Sequence, residues 1–123
     1  MSQLLVKRVY DPPAPTDGTR ILVDRLWPRG ISKDRIDLWL RDIAPSDALR
    51  HEFHGHPDRW DEFRAAYAAE LGTAPAWAAV ATLDEKLEEG PVTLLYAARD
   101  EHRNNAEALR SWLVERAGSA KSG

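Results

Sequence analysis

The densest run of chemically capable side chains is Asp24-Arg25-Leu26-Trp27-Pro28-Arg29-Gly30-Ile31-Ser32-Lys33. Arg25, Arg29 and Lys33 put two guanidinium groups and an ammonium within nine residues, beside a rigid proline and a permissive glycine. Arginine's planar fork suits bidentate contact with phosphate or carboxylate. Trp27 offers a ring that can stack on a planar ligand or on an arginine. The same residues also suit a purely structural role. Asp24 would then pair with Arg25 or Arg29, Trp27 would fill the core, and Pro28-Arg29-Gly30 would be only a turn.

A second segment, Tyr96-Ala97-Ala98-Arg99-Asp100-Glu101-His102-Arg103-Asn104-Asn105, joins the end of an apolar strand to the start of a helix. Helix N-termini present free backbone N–H groups and a positive dipole, which together attract anions. Asn104 or Asn105 is either the cap of that helix or a ligand contact. In open α/β sheets ligands collect at the carboxyl ends of strands, so a parallel sheet would bring the two segments to one edge. The candidate ligand-binding set is therefore Arg25, Trp27, Arg29, Lys33, Arg99, Asn104 and Asn105.

Other chemistries find little support. His51, His54 and His56 are spaced three and two residues apart. They cannot share one helix face, and no nearby acidic residue completes a familiar metal-ligand set. Neither GxGxxG nor GxxxxGK[ST] occurs, and no G-x-S-x-G elbow supplies a serine nucleophile. No cofactor is expected. Catalysis stays open, because fixed cations can themselves stabilise a developing charge.

The elements that must position these residues follow from the hydrophobic pattern. Leu4–Tyr10 is a short apolar-rich strand halted by Asp11-Pro12-Pro13, and Pro12–Gly18 is a loop. Arg20–Asp24 is a strand apolar enough to be buried on both faces. Ile36–Ile43 fits either period, and the alternation at positions 36, 38 and 40 favours a strand. Ser46 is a plausible N-cap for a short helix over Asp47–Phe53. Trp60, Phe63, Tyr67 and Leu71 mark a second helix stopped by Gly72. A third, opened by Thr73 and Pro75, carries Trp77, Val80, Leu83 and Leu87 to Gly90. Val92–Ala98 is the clearest strand, and a last helix from about Asn104 carries Ala106, Leu109, Leu113 and Ala117. Residues 118–123 read as a frayed tail. The expected architecture is a single α/β domain over residues 1–118, with 119–123 a flexible tail. Its core is a small, mostly parallel sheet of about four strands covered by helices.

The chain has 123 residues and no cysteine, which excludes disulfides and thiolate chemistry and fits a reducing compartment. Nothing approaches the roughly 20 apolar residues of a membrane span. Met1–Lys7 lacks the apolar core of a secretory signal, so a cytoplasmic location without membrane association is expected. The net charge of -3 argues against a general nucleic-acid binder. The charge is uneven: residues 1–35 hold seven Lys/Arg against four Asp, whereas the remainder is acidic. A basic segment in an acidic protein suggests local anion affinity, although surface solubility would account for it equally.

Arg8-Val9-Tyr10, Val23–Gly30 with Lys33, Ala44-Pro45-Ser46 and Leu49-Arg50 resemble the YeaO-like branch of the domain-of-unknown-function family 488. Trp60–Phe63, Tyr67, Glu70-Leu71 and Leu94–Asp100 continue the resemblance to about residue 114. It implies a bacterial cytoplasmic α/β protein and names no activity. Two places depart from the family pattern. Phe53-His54-Gly55-His56-Pro57 stands where the family has Phe-Gly-His-Asp-Pro, and Arg103 stands where the family has His before Asn-Asn, with His102 one residue earlier. A general base must reach its proton within hydrogen-bond distance, so these shifts make the histidines poor catalytic candidates.

The leading expectation is a domain binding a small anionic ligand, phosphorylated or nucleotide-like, at the carboxyl edge of its sheet. The rival is a protein- or nucleic-acid-interaction or regulatory module without catalysis, engaging its partner through the basic segment and exposed tryptophans. Five tryptophans in so short a chain are nonetheless expected mainly in the core. Oligomeric state is not legible.

Overall fold

A computed structural model describes residues 3–122. Four strands, β1 (Leu4–Arg8), β2 (Thr19–Leu22), β3 (Leu38–Trp39) and β4 (Val92–Tyr96), form one sheet in the order β1-β4-β2-β3. Every pairing is parallel. The helices are α1 (Asp47–Phe53), α2 (Trp60–Leu71), α3 (Ala74–Glu89) and α4 (Asn105–Ser122). This is the single α/β domain the sequence implies, with β4 inserted between the two strands that open the chain.

Alternation along the strands divides the sheet into two unequal faces, as the two-residue period of a strand requires. Ile21, Val23, Val92, Leu94 and Tyr96 point into the main core with Tyr67, Leu83 and Leu109 from the helices. On the other face Val9, Leu22 and Leu95 meet Ile36 in a smaller cluster, with Ile31 and Trp39 packed against it. Loops and short 3-10 turns close that second face.

Polar groups complete the helix-free face. The Asp17 carboxylate, buried among loops and strands, receives Arg20 Nη1 at 2.5 Å and Lys7 Nζ at 3.1 Å. The Ala14 amide donates to it as well, at 3.0 Å. Arg20 Nε donates to the Arg35 carbonyl and Thr93 Oγ1 to the Asp17 carbonyl. Burial alone would raise the Asp17 pKa, but the Ala14 amide, Lys7 and Arg20 outweigh it and hold the carboxyl below its ordinary value. Gly18 ends this turn at φ 65°, and a Cβ there would lie 2.1 Å from the Pro91 carbonyl oxygen. Only glycine fits.

Local signals account for most element boundaries. Ser46 caps α1 through its hydroxyl, which accepts from Leu49 N at 3.1 Å, and Glu70 on α2 fixes Ser46 through its amide and hydroxyl. Tyr67 donates its buried hydroxyl to the Ile43 carbonyl at 2.5 Å, tying α2 to the turn after β3.

Three expectations change. The strand expected over Ile36–Ile43 contracts to Leu38–Trp39, because 3-10 turns at Lys33–Arg35 and Arg41–Ile43 flank it and β2 offers pairing partners only at Ile21 and Leu22. Trp77 does not join the buried stripe of α3. It is 69% exposed, and Ala76, Val80, Leu83 and Leu87 form the stripe instead. None of the other tryptophans is fully buried, since bulk and a polar N–H favour partial exposure. Trp27 Nε1 donates to the Ile31 carbonyl and Trp39 Nε1 to the Asp24 carbonyl. The last helix runs on to Ser122, past Gly118; of the tail expected over 119–123, Gly123 lies outside the described residues. Among the described residues no helix is long and apolar enough to cross a membrane.

Replacing Asp17 with alanine strands the buried Arg20, whose Nη2 already has no partner. Asp17→Ala is expected to cost about 3–5 kcal/mol in urea unfolding. An unchanged unfolding midpoint would show that this cluster does not hold the loop-covered face.

Candidate functional site

A parallel sheet turns all its carboxyl ends to one rim. At that rim the turn following Asp24 and the turn following Ala98 open onto a single cavity of about 680 Å³. Partly buried Asp24, Ala97 and Asn105 form its floor; Arg25, Arg29, Arg50, Arg99 and Arg103 line it, as do Phe53, His54, His56, Trp60 and Phe63.

The floor is a hydrogen-bonded latch. Asp24 Oδ1 accepts from Asn105 Nδ2 at 2.9 Å, and Oδ2 accepts from the Ala97 amide at 3.0 Å. Asn105 Nδ2 also donates to the Val23 carbonyl at 3.0 Å. The end of β2, the chain leaving β4 and the first turn of α4 are thereby fixed to one another. Burial raises the Asp24 pKa; the bonds from Asn105 and Ala97 and the charge of Arg50 offset part of that rise.

The two turns are braced from β1. Arg8 Nε donates to the Ala98 carbonyl at 2.9 Å, and its guanidinium lies 5.0 Å from the Tyr10 ring centroid. Tyr10 in turn donates its hydroxyl to the Arg29 carbonyl at 3.1 Å. Between Pro28 and Ile31 the chain reverses with Gly30 at φ 78°, closed by Ile31 N to the Pro28 carbonyl at 3.4 Å. This geometry puts Arg29 at the corner of the turn and requires a residue tolerant of positive φ after it. On the other side Asp100 Oδ1 accepts from the amides of both His102 and Arg103, at 2.9 Å each. Those bonds, Arg103's first, hold the Asp100 carboxyl below its ordinary value.

The candidate residues separate by what they touch. Arg29 and Arg99, with Arg103, are exposed and make no ion pair among the described residues. Arg25 is largely engaged: Nη2 donates to the carbonyls of Ala44 and Pro45, while Nε lies 3.9 Å from Asp47 Oδ1, too far for a hydrogen bond, and is buried without a partner. Trp27 lines the rim and packs edge-on against Trp39, with ring centroids 5.4 Å apart. Asn104 lines the cavity but its amide serves the fold. Its Oδ1 caps α4 at Glu107 N, and its Nδ2 donates to the Asp100 carbonyl. Lys33 stands apart, on a second hollow formed with Ile31, Ile36, Leu38 and Trp39.

Sequence reasoning left Asp24, Arg50, Arg103, His54, His56 and the aromatic wall out of the candidate set. The aromatic residues carried a signal, since Trp60 and Phe63 begin the apolar stripe of α2 and both line the cavity. Arg50 and Arg103 carried none beyond charge. Among the described residues no group of three or more His, Asp or Glu side chains is placed to hold a metal ion.

A family model described as "Inactive DUF488-N3 subclade" matches residues 3–122. The uncharacterized protein YeaO of Escherichia coli K12 is 46% identical over 109 residues, covering 87% of this chain and 93% of the relative. The uncharacterized proteins Rv3073c of Mycobacterium tuberculosis H37Rv and Mb3100c of Mycobacterium bovis are each 41% identical over 114 residues, covering 91% of this chain and 94% of theirs. No solved structure matches significantly.

The latch generates a pH prediction. Because the folded-state pKa of Asp24 lies above its ordinary value of 3.8, the unfolded chain releases this proton first as pH rises. Stability therefore falls between the two pKa values and stays lower above them. Asn105→Ala removes a donor that favours the charged form, so the Asp24 midpoint in a carboxyl-carbon NMR titration should move further up. The lost buried hydrogen bonds should also cost about 1–3 kcal/mol. A midpoint unmoved in the variant would contradict the latch, and a wild-type midpoint at or below 3.8 would contradict the burial that raises it.

Proposed function

The chain belongs to the inactive DUF488-N3 subclade, and we propose, from the geometry of its cavity, that it binds a small phosphate-bearing anion at the carboxyl rim of its sheet. The observation that carries this reading is the convergence of Arg29, Arg99 and Arg103 on one concave space. Several arginines elsewhere are matched or committed: Arg59 meets Glu52 and Glu62, Arg64 meets Glu115 and Arg116 meets Asp84, while Arg35 and Arg110 donate to backbone carbonyls and Arg41 lies over the Trp39 ring. Unmatched guanidinium groups around a cavity form a field that concentrates anions, and their planar forks match phosphate oxygens. The start of α4 at the same wall adds the positive end of its dipole.

Binding, rather than turnover, is the function proposed. Ser46 Oγ is occupied by Glu70 and by its own helix cap, and the Tyr10 hydroxyl is bonded to the Arg29 carbonyl. Of the two only Tyr10 lines the cavity, and its committed hydroxyl is no activated nucleophile; the word "inactive" in the subclade's description points the same way. In this proposal the protein works in the cytoplasm, where a chain without cysteine needs no oxidising environment. A second reading, a surface for a protein partner, draws on Leu26, which is 66% exposed beside the cavity.

Calorimetric titration with ribose 5-phosphate, pyrophosphate and inorganic phosphate tests the proposal. The wild type should bind ribose 5-phosphate. Arg29→Ala and Arg99→Ala should each weaken binding about tenfold, near the 1.4 kcal/mol of one charge-assisted contact, and added salt should weaken it further. The proposal fails if no phosphate-bearing anion binds the wild type, or if both variants bind as the wild type does.

A further inference from the structure

We infer that the ligand of this cavity carries a guanine base as well as a phosphate, and that Asp24 is the residue that reads the base. The inference rests on the anion-binding reading above and specifies the other half of the ligand.

Asp24 lines the cavity and keeps partial exposure. Each of its oxygens accepts one bond from the protein, Oδ1 from Asn105 and Oδ2 from Ala97. An ionised carboxylate offers about four lone-pair sites, so each oxygen retains capacity for a further donor. Two adjacent acceptors held rigidly in this way call for two adjacent donors. A guanidinium or amidinium cation has them, and so does the neutral edge of guanine, through N1–H and the 2-amino group. The cation is disfavoured here, because Arg25, Arg29, Arg50, Arg99 and Arg103 surround the same space. Guanine is neutral and brings its negative charge separately, on the phosphate those arginines would hold. Adenine and cytosine offer one exocyclic amine and uracil one imide N–H, so none of them fills both oxygens.

Aromatic side chains line the same cavity, although Arg59 covers a face of Phe53 at 4.5 Å and Tyr67 lies against Phe63. Trp60 and Phe63 stack with centroids 5.5 Å apart at 22°, and Phe53 meets Phe63 edge-on at 5.8 Å. All three rings are half-buried and line the cavity. Stacking of a base on such a ring is worth about 1–3 kcal/mol. The cavity volume of about 680 Å³ falls within the ordinary range for small-molecule sites, roughly 300–1,000 Å³.

The test is calorimetric titration of the wild type with guanosine, inosine and adenosine monophosphates and with ribose 5-phosphate. The guanosine nucleotide should bind tightest. The inosine nucleotide, lacking the 2-amino group, should be about tenfold weaker, and the adenosine nucleotide weaker again, since a site built to hydrogen-bond a donor rejects analogues lacking it. Asp24→Asn, its fold checked by circular dichroism, should lose the preference for the guanosine over the adenosine nucleotide. Should that variant unfold, the wild-type series decides alone. Equal affinity for the guanosine and adenosine nucleotides, or guanosine binding no tighter than ribose 5-phosphate, overturns the guanine inference and leaves anion binding standing. No binding of any of the four overturns both.

Discussion

Two hydrogen bonds to one carboxylate organise the functional end of this molecule. Asp24 receives the Asn105 amide from the start of α4 and the Ala97 backbone N–H from just beyond β4. Together with the Asn105 bond to the Val23 carbonyl, they tie two strand ends to a helix start. The latch fixes the chain positions from which Arg25 and Arg29 on one side, and Arg99 and Arg103 on the other, depart. A buried carboxylate is costly to desolvate unless donors meet it. The burial is supported here by an asparagine side chain and a main-chain amide, neither of which neutralises its charge. That leaves an acidic group with spare acceptor capacity beneath a ring of cations.

Parallel topology makes the arrangement possible. Because β4 enters between β1 and β2, its exit is flanked by the exits of both. Arg8 and Tyr10, leaving β1, reach the Ala98 and Arg29 carbonyls on the neighbouring turns. The helix-free face contributes at a distance. With Asp17 bonded to Arg20, Lys7 and Thr93, the loops that cover that face hold the sheet without a second helical layer, and the helices on the other face are left to shape the cavity wall.

Much of this was legible in the residues. Ser46 announced α1, because an N-cap acts on amides two or three positions away and needs no tertiary context. The stripe of Tyr67 and Leu71 and the run Val92–Tyr96 likewise declared α2 and β4 through local periodicity. The meeting of the segments after Asp24 and Ala98 followed from parallel strands alone. What sequence did not reveal depends on contacts between distant positions. Ile36–Ile43 alternates like a strand, yet β2 offers it only two partners. Trp77 sits one position off the buried stripe of α3, where Ala76 takes the inward place. Lys33 lies close to Arg29 in the chain, but the reversal at Gly30 carries it to a different hollow. Asn104 and Asn105 look alike in sequence. Their division into cap and latch is set by which one faces β2, and Arg50 and Arg103 join the ring only through tertiary placement.

The central claim is that these two turns and the start of α4 act together as one anion-receiving surface. Amide chemical-shift mapping by two-dimensional nitrogen–proton NMR during a titration with pyrophosphate tests it most directly. The account predicts saturable shifts concentrated in Asp24–Gly30, Ala97–Arg103 and Asn105, moving with a single dissociation constant. Shifts confined to the Lys33–Trp39 hollow, or scattered over the surface without saturation, would contradict it.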